Sequence, residues 1–223
     1  MNFDEWEPTY ERILADFGFD RAADERARDV CRSLVDGPCY DLDRLGARVE
    51  GDSVAVVGAA PSLADEVDRA AAADHVFAAS TAVDVCHDHG IPVDVMVTDL
   101  DKNPDTAVER TVTGTPVAAH AHGDNIPALR EWLPRFRDAY TIPTTQAAPR
   151  PPVLNVGGFT DGDRAAFLAD ALGAKSLVFV GWDFDDPTVD GMKAKKLRWA
   201  ARLLCWLETR RGERFSVLDG HRS

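Results

Sequence analysis

The sequence predicts an α/β protein, a mostly parallel sheet with helices on both faces, preceded by a short N-terminal helical element. Short Val-rich apolar runs recur from Ser53 onward, amphipathic stretches separate most of them, and the segment before Ser53 carries helical spacing instead. Near-continuous apolar strands joined by helical crossovers suit a parallel sheet buried on both faces.

The first elements are helical. Residues 3–17 and 22–34 repeat apolar positions at helical spacing, and Gly18 with Asp20 supplies a stop and an N-cap between them. Gly37 and Pro38 open what reads as an irregular link through Gly51. The runs SVAVVG, HVFAAS, VDVMVTD, PVAAHAH, AYTIPT, VLNVGG, SLVFVGWD and FSVLDG then read as strands. Helices are expected near residues 63–72, 81–89, 104–112, 125–136 and 163–172. The last helix, about 193–211, sets Leu197, Ala200, Ala201, Leu204 and Leu207 on one stripe. QAAPRPP, residues 146–152, suits neither helix nor strand and is expected to be a mobile loop or a connection between halves. The expected division is a helical element and linker at 1–50 and an α/β catalytic domain at 51–223.

Composition narrows the function classes. A chain of 223 residues suits one α/β domain with a real core. The net charge of −13 disfavours nucleic acid and anionic membranes as partners. No apolar run approaches the roughly 20 residues of a bilayer span, and the opening MNFDEWEPTYER is acidic and polar, so a cytoplasmic protein is expected. Cys31, Cys39, Cys86 and Cys205 form no CxxC pair, which points away from a zinc knuckle or disulfide framework. The acids are mostly Asp and the bases mostly Arg, a bias resembling a salt-adapted, GC-rich archaeal proteome. Among only 5 lysines, Lys193, Lys195 and Lys196 fall within four residues, which suits either a solvated helix face or a phosphate site.

In a parallel sheet, ligands bind where loops leave the carboxyl ends of strands, and the polar residues here gather at those ends. The first run leads through Gly58 to Ser62, either a phosphate-receiving strand-to-helix turn or an ordinary turn capped by Ser62. The third ends in Thr98-Asp99-Leu100-Asp101; extended alternation would point both carboxylates to one side, where they could share Mg²⁺, unless one of them caps the next helix. The fourth ends in His120-Ala121-His122-Gly123-Asp124-Asn125, suited to a transition metal if a third ligand arrives, or to phosphate or metal-water contact with Asp124 or Asn125 as an N-cap. The sixth ends in Asn155-Val156-Gly157-Gly158-Phe159-Thr160-Asp161-Gly162-Asp163-Arg164. Its paired glycines allow close backbone approach, Thr160 or Asp161 can cap a helix, and Arg164 opposes the helix dipole unless it meets an anion. The seventh adds Trp182 and Phe184, as core or as a ligand platform, around Asp183.

At TDLD, HAHGDN, NVGGFTDGDRA, GWDF and the KAKKL helix, the chain resembles the archaeal 6-hydroxymethyl-7,8-dihydropterin pyrophosphokinase family, itself similar in catalytic fold to thiamin pyrophosphokinases. The strongest blocks lie between Val54 and Leu204. The resemblance implies transfer of the terminal pyrophosphate of ATP to the hydroxymethyl group of a reduced pterin, releasing AMP, with Mg²⁺, on the route to folate or methanopterin. It matches Asp99 and Asp101 to the acidic metal motif, His120, His122, Asp124 and Asn125 to a second block, and Asn155, Gly157, Gly158, Thr160 and Asp161 to a third. Asp185-Asp186-Pro187 stands where a simple Gly is expected, a departure from the pattern beside Asp183.

The expected roles follow from residues and resemblance together. Asp99 and Asp101 would hold Mg²⁺, with His122 and Asp124 as further catalytic groups, either of which could accept the hydroxyl proton. Gly58, Ser62, Gly157, Gly158, Thr160, Arg164, Lys193, Lys195 and Lys196 would hold ATP. Asn125, Asn155, Phe159, Trp182 and Asp183 would hold the pterin. A nucleotide-sugar glycosyltransferase using the same acids, and a non-catalytic nucleotide-binding module, are the rival readings; oligomeric state is left open, a homo-oligomer included.

Overall fold

The computed structural model describes residues 1–222 and divides into two compact units, Met1–Leu42 with Val95–Gly157 and Asp43–Asp94 with Gly158–Ser223. The two N-terminal helices thus share a unit with the third, fourth and fifth strands.

In the first unit, α1 (Phe3–Phe17) begins at a reciprocal cap between Asn2 and Glu5 and ends at Gly18, whose φ of 69° is left-handed. Asp20 then caps α2 (Arg21–Leu34) by accepting from Ala22 N at 3.0 Å, as the Gly18–Asp20 spacing predicts. Strands β3 (Val95–Thr98), β4 (Val117–Ala121) and β5 (Thr141–Thr145) run parallel in the order β5-β4-β3, with Thr98 beside Ala119 and Ala121 beside Thr145. Every residue of these three strands is buried, the pattern of a sheet covered on both faces. Helices α6 (Pro104–Thr113) and α7 (Ile126–Trp132) belong to this unit. Its core includes Trp6, Tyr10, Ile13, Met96, Leu129 and Leu133.

In the second unit, β1 (Ser53–Val57) lies between β2 (His75–Ala79) and β6 (Ser176–Val180), all parallel. Helices α4 (Leu63–Ala71), α5 (Ala82–Asp88), α8 (Asp161–Ala171) and the long α9 (Gly191–Arg211) accompany them. Phe77, Leu45, Leu63, Phe167, Leu204 and Phe215 are buried here. Among the described residues, no helix is long and apolar enough to cross a membrane.

Three expectations are corrected. The link after Pro38 contains a helix, α3 (Leu42–Val49), whose Leu45 and Val49 are buried one turn apart. VLNVGG is not a strand: it makes only isolated bridges at Val153 and Leu154, and Gly157 and Gly158 then take φ near +90°, outside strand geometry. FSVLDG is a 3₁₀ turn at Ser216–Leu218, in which Leu218 N bonds Phe215 O locally, so its apolar residues are buried without joining a sheet. Short apolar runs carry no periodicity that separates these cases.

Candidate functional site

The carboxyl ends of β3 and β4 are tied together by one side chain. Asn125, 6% exposed, donates from Nδ2 to Asp99 O at 2.8 Å and to His120 O at 2.7 Å, while its Oδ1 accepts from His122 N at 3.0 Å. After Thr98 the chain turns instead of staying extended. Leu100 takes φ 67°, Leu100 N bonds Thr98 Oγ1 at 3.0 Å, and Asp101 N bonds Asp99 Oδ1 at 3.3 Å. Asp99 and Asp101 are therefore related by a side-chain-capped turn, and the extended alternation expected of them does not hold.

That turn sets Asp99 Oδ2 3.5 Å from His122 Nε2, with both side chains about one-fifth exposed. Asp101 and Asp124 are exposed. His120 is buried, its Nδ1 3.0 Å from Thr144 Oγ1. Among the described residues, no three His, Cys, Asp or Glu side chains form a group that could hold a metal ion. Mg²⁺ asks for less: it keeps several waters and takes one or two carboxylates plus substrate phosphates, a donor set that Asp99 and Asp101 fit.

A buried carboxylate on α2 supports the same loop. Asp24 accepts from Gly123 N at 2.7 Å, Gln146 Nε2 at 2.7 Å and Tyr10 Oη at 2.8 Å. Burial, then the Asp24 charge, pushes the Tyr10 phenol far above its ordinary value. A Cβ on Gly123 would lie 2.7 Å from Ala23 Cβ, so the glycine of HAHGDN is where α2 meets the loop. Gln146 O in turn accepts from Trp6 Nε1 and Asn155 Nδ2, both at 2.9 Å; Asn155 also donates to Ala147 O and accepts from Gly157 N. The amides of Asn125 and Asn155, expected to meet the pterin, bond to loop backbone.

In the second unit the expected residues lie at the start of α8, after β1 and β6, and at the start of α9. Thr160 caps α8: its hydroxyl and N–H reach Asp163, which also accepts from Phe159 N. Burial pushes the Asp163 carboxyl above its ordinary value, against the pull of these donors and Arg164. Arg164 Nη1 donates to Asp161 Oδ1 at 3.0 Å, so an acid of the same helical turn supplies an anion for it. A Cβ on Gly158 would fall 2.6 Å from Arg164 Cα, and one on Gly58 would fall 2.6 Å from Gly181 O. Both glycines thus have packing reasons. Ser62 precedes α4 without a side-chain cap bond.

Trp182 donates from Nε1 to Val56 O at 2.9 Å and meets Phe179 and Phe184 at centroid distances of 5.6 Å. Phe159 is buried. Asp183 is exposed and folds back to accept from Asp185 N at 2.9 Å, so the DDP departure forms its own turn. Lys193, Lys195 and Lys196 lie in the first turns of α9, where Asp190 accepts from Lys193 N at 2.7 Å.

Asp24 went unremarked in the sequence, yet its signal was there. Asp24, Ala27, Arg28 and Cys31 are the buried stripe of α2, and an acid and an arginine in an apolar stripe mark a polar network.

Parallel strands whose carboxyl ends carry acids, histidines and glycine turns define an α/β protein of the small-ligand-binding class. A family model described as 6-hydroxymethylpterin diphosphokinase MptE-like matches residues 33–188, and the chain belongs to that family. The chain is 38% identical to a protein of Methanothermobacter thermautotrophicus named 6-hydroxymethyl-7,8-dihydropterin pyrophosphokinase, with 93% of this chain and 96% of that one covered. Proteins of the same name from Pyrococcus furiosus and Methanocaldococcus jannaschii are 36% and 30% identical, each over 93% of this chain and 95% and 96% of their own length. A solved structure, the MAf glycosyltransferase from Magnetospirillum magneticum AMB-1, has a TM-score of 0.47 and 20% identity, covering 77% of this chain and 29% of its own.

Proposed function

We propose that this protein transfers the β,γ-diphosphate of ATP to the hydroxymethyl oxygen of 6-hydroxymethyl-7,8-dihydropterin, giving the pterin diphosphate and AMP. The observation that carries the reading is 38% identity to a protein of that name across 93% of the chain. In the step, the hydroxymethyl oxygen forms a bond to the β-phosphorus, the bond from that phosphorus to the oxygen joining it to AMP breaks, and the hydroxyl proton passes to a base.

Asp99 and Asp101 are the residues that would hold Mg²⁺, which when bound neutralises charge on the phosphate oxygens. Asp99 enters this role with its backbone fixed by Asn125 and its carboxylate beside His122. His122 and Asp124 are the candidate bases, His122 partly sheltered beside Asp99 and Asp124 in solvent. Lys193, Lys195 and Lys196 offer cations to phosphate oxygens from the first turns of α9. Asp183 is the exposed acid for the guanidine-like edge of the pterin. We place the reaction in the cytoplasm, with small-molecule substrates and neither nucleic acid nor membrane as partner.

The test is AMP release from ATP and Mg²⁺ with and without 6-hydroxymethyl-7,8-dihydropterin. Pterin-dependent AMP formation is expected. Turnover of a nucleotide sugar without response to pterin, or nucleotide binding with no metal-dependent turnover, would refute the reading.

A further inference from the structure

We propose that Asn125 is a positioning residue that sets Asp99 for metal binding and holds His122 beside it, without touching substrate. The inference rests on Asp99 being a metal ligand. The Asn125 amide has two N–H hydrogens, taken by Asp99 O and His120 O, and its oxygen accepts from His122 N. The amide cannot be reversed, because two of its partners are acceptors and the third is a donor.

Residue identity follows from that pattern. The site needs two donors and one acceptor on one planar group a single methylene from the backbone. Asp has no donor to offer when ionised, Gln is a methylene too long, and Ser has a single hydrogen. The consequence is geometric: Asp99 belongs to the β3 end and His122 to the β4 end, and Asn125 holds the backbone of both. With Leu100 in left-handed geometry between the two acids, the turn that orients the Asp99 carboxylate depends on where Asp99 O is held. A metal site needs its ligands held to within a fraction of an ångström by such outer contacts.

The test uses the full chain, with Mn²⁺ as probe and α,β-methylene ATP present. Electron paramagnetic resonance titration of Asn125→Ser and Asn125→Ala should show Mn²⁺ dissociation constants raised about 10- to 100-fold with native circular dichroism, the range typical of outer-shell changes at metal sites. In turnover, kcat and the Mg²⁺ half-saturation should change while KM for the pterin stays within about twofold, the signature of lost positioning as opposed to lost substrate contact. Adding Asn125→Ser to Asp99→Asn should weaken Mn²⁺ no further, because Asn125 acts through Asp99. In the parent protein, Mn²⁺ should broaden the Asn125 side-chain amide resonances, a readout that needs no variant to fold. Absence of broadening, or folded Asn125 variants with parental Mn²⁺ affinity, overturns the proposal. Parental affinity in Asp99→Asn would instead remove the metal reading on which it rests.

Discussion

Arg164 and Asp161 pair at 3.0 Å within the first turn of α8, with side chains 6% and 14% exposed. A cation at a helix N-terminus opposes the dipole, and Asp161, three residues earlier, offsets it. Arg164→Met and Asp161→Asn should each lower unfolding free energy by about 1.5–3 kcal/mol, the range for hydrogen bonds to charged groups. The double variant should lose less than the sum, with coupling of about 1 kcal/mol or more in urea melts. Strict additivity would mean the pair does not act as one.

Asp99→Asn and Asp101→Asn should each cut pyrophosphoryl transfer by at least about 100-fold while the fold survives, since losses of that order arise even from outer-shell changes at metal sites. Asn at 99 keeps an Oδ1 acceptor for Asp101 N, so the turn can remain while the charge for Mg²⁺ is lost. Lys195→Ala or Lys196→Ala should instead raise KM for ATP more than it lowers kcat, the mark of contacts equal in ground and transition states. Initial rates across an Mg²⁺ series separate the two outcomes; near-parental rates at low Mg²⁺ in both folded Asp variants would end the mechanism.

Tyr10→Phe removes one of three donors to Asp24 and should cost about 1.5–3 kcal/mol. Asp24→Ala strands three donors at once and should cost more. Chemical denaturation gives both values, and equal losses would contradict the hub role of the carboxylate.

Glu208 accepts from Arg222 Nη2 and Phe215 N, each at 2.6 Å, and Arg222 holds its carboxyl below the ordinary value. A depressed carboxyl contributes stability that is present above its unfolded pKa, about 4.3, and is lost as pH falls through the lower folded value. Glu208→Gln should therefore destabilise the protein at neutral pH and narrow its gap to the parent below about pH 4, as read by thermal melts from pH 7 to 3. A gap unchanged across that range would exclude the ionised form as the source.

Net charge of −13 should make stability depend on salt, because screening weakens repulsion among the carboxylates. The melting midpoint should rise from dilute buffer to molar KCl. Equal midpoints would contradict salt adaptation.

The strand ends were legible in the sequence because apolar runs give way to polar residues, as at Thr98-Asp99 and Ala121-His122. The site geometry was less so. Leu100 in left-handed geometry has no sequence signature, and it overturned the alternation expected between Asp99 and Asp101. Arg164 read as a missing anion, yet Asp161 beside it in sequence is a partner. The bonds by which Asn125 and Asn155 hold loops were not legible, because backbone acceptors such as Asp99 O and Gln146 O come within reach only once the chain is folded. The dependence of Gly123 on Ala23 was hidden for the same reason.

Asp24 and Gly123 stand 99 residues apart in the chain, and Asp24 and Gln146 stand 122 apart. During synthesis, α2 emerges long before the loop it supports. At about 5–20 residues per second, the ribosome delivers Gly123 roughly 5–20 s after Asp24. Tyr10, 14 residues away, is the one hub partner already made by then. Docking of α2 against the β4 loop thus cannot begin until that interval of translation has passed, when most of the first unit has been made.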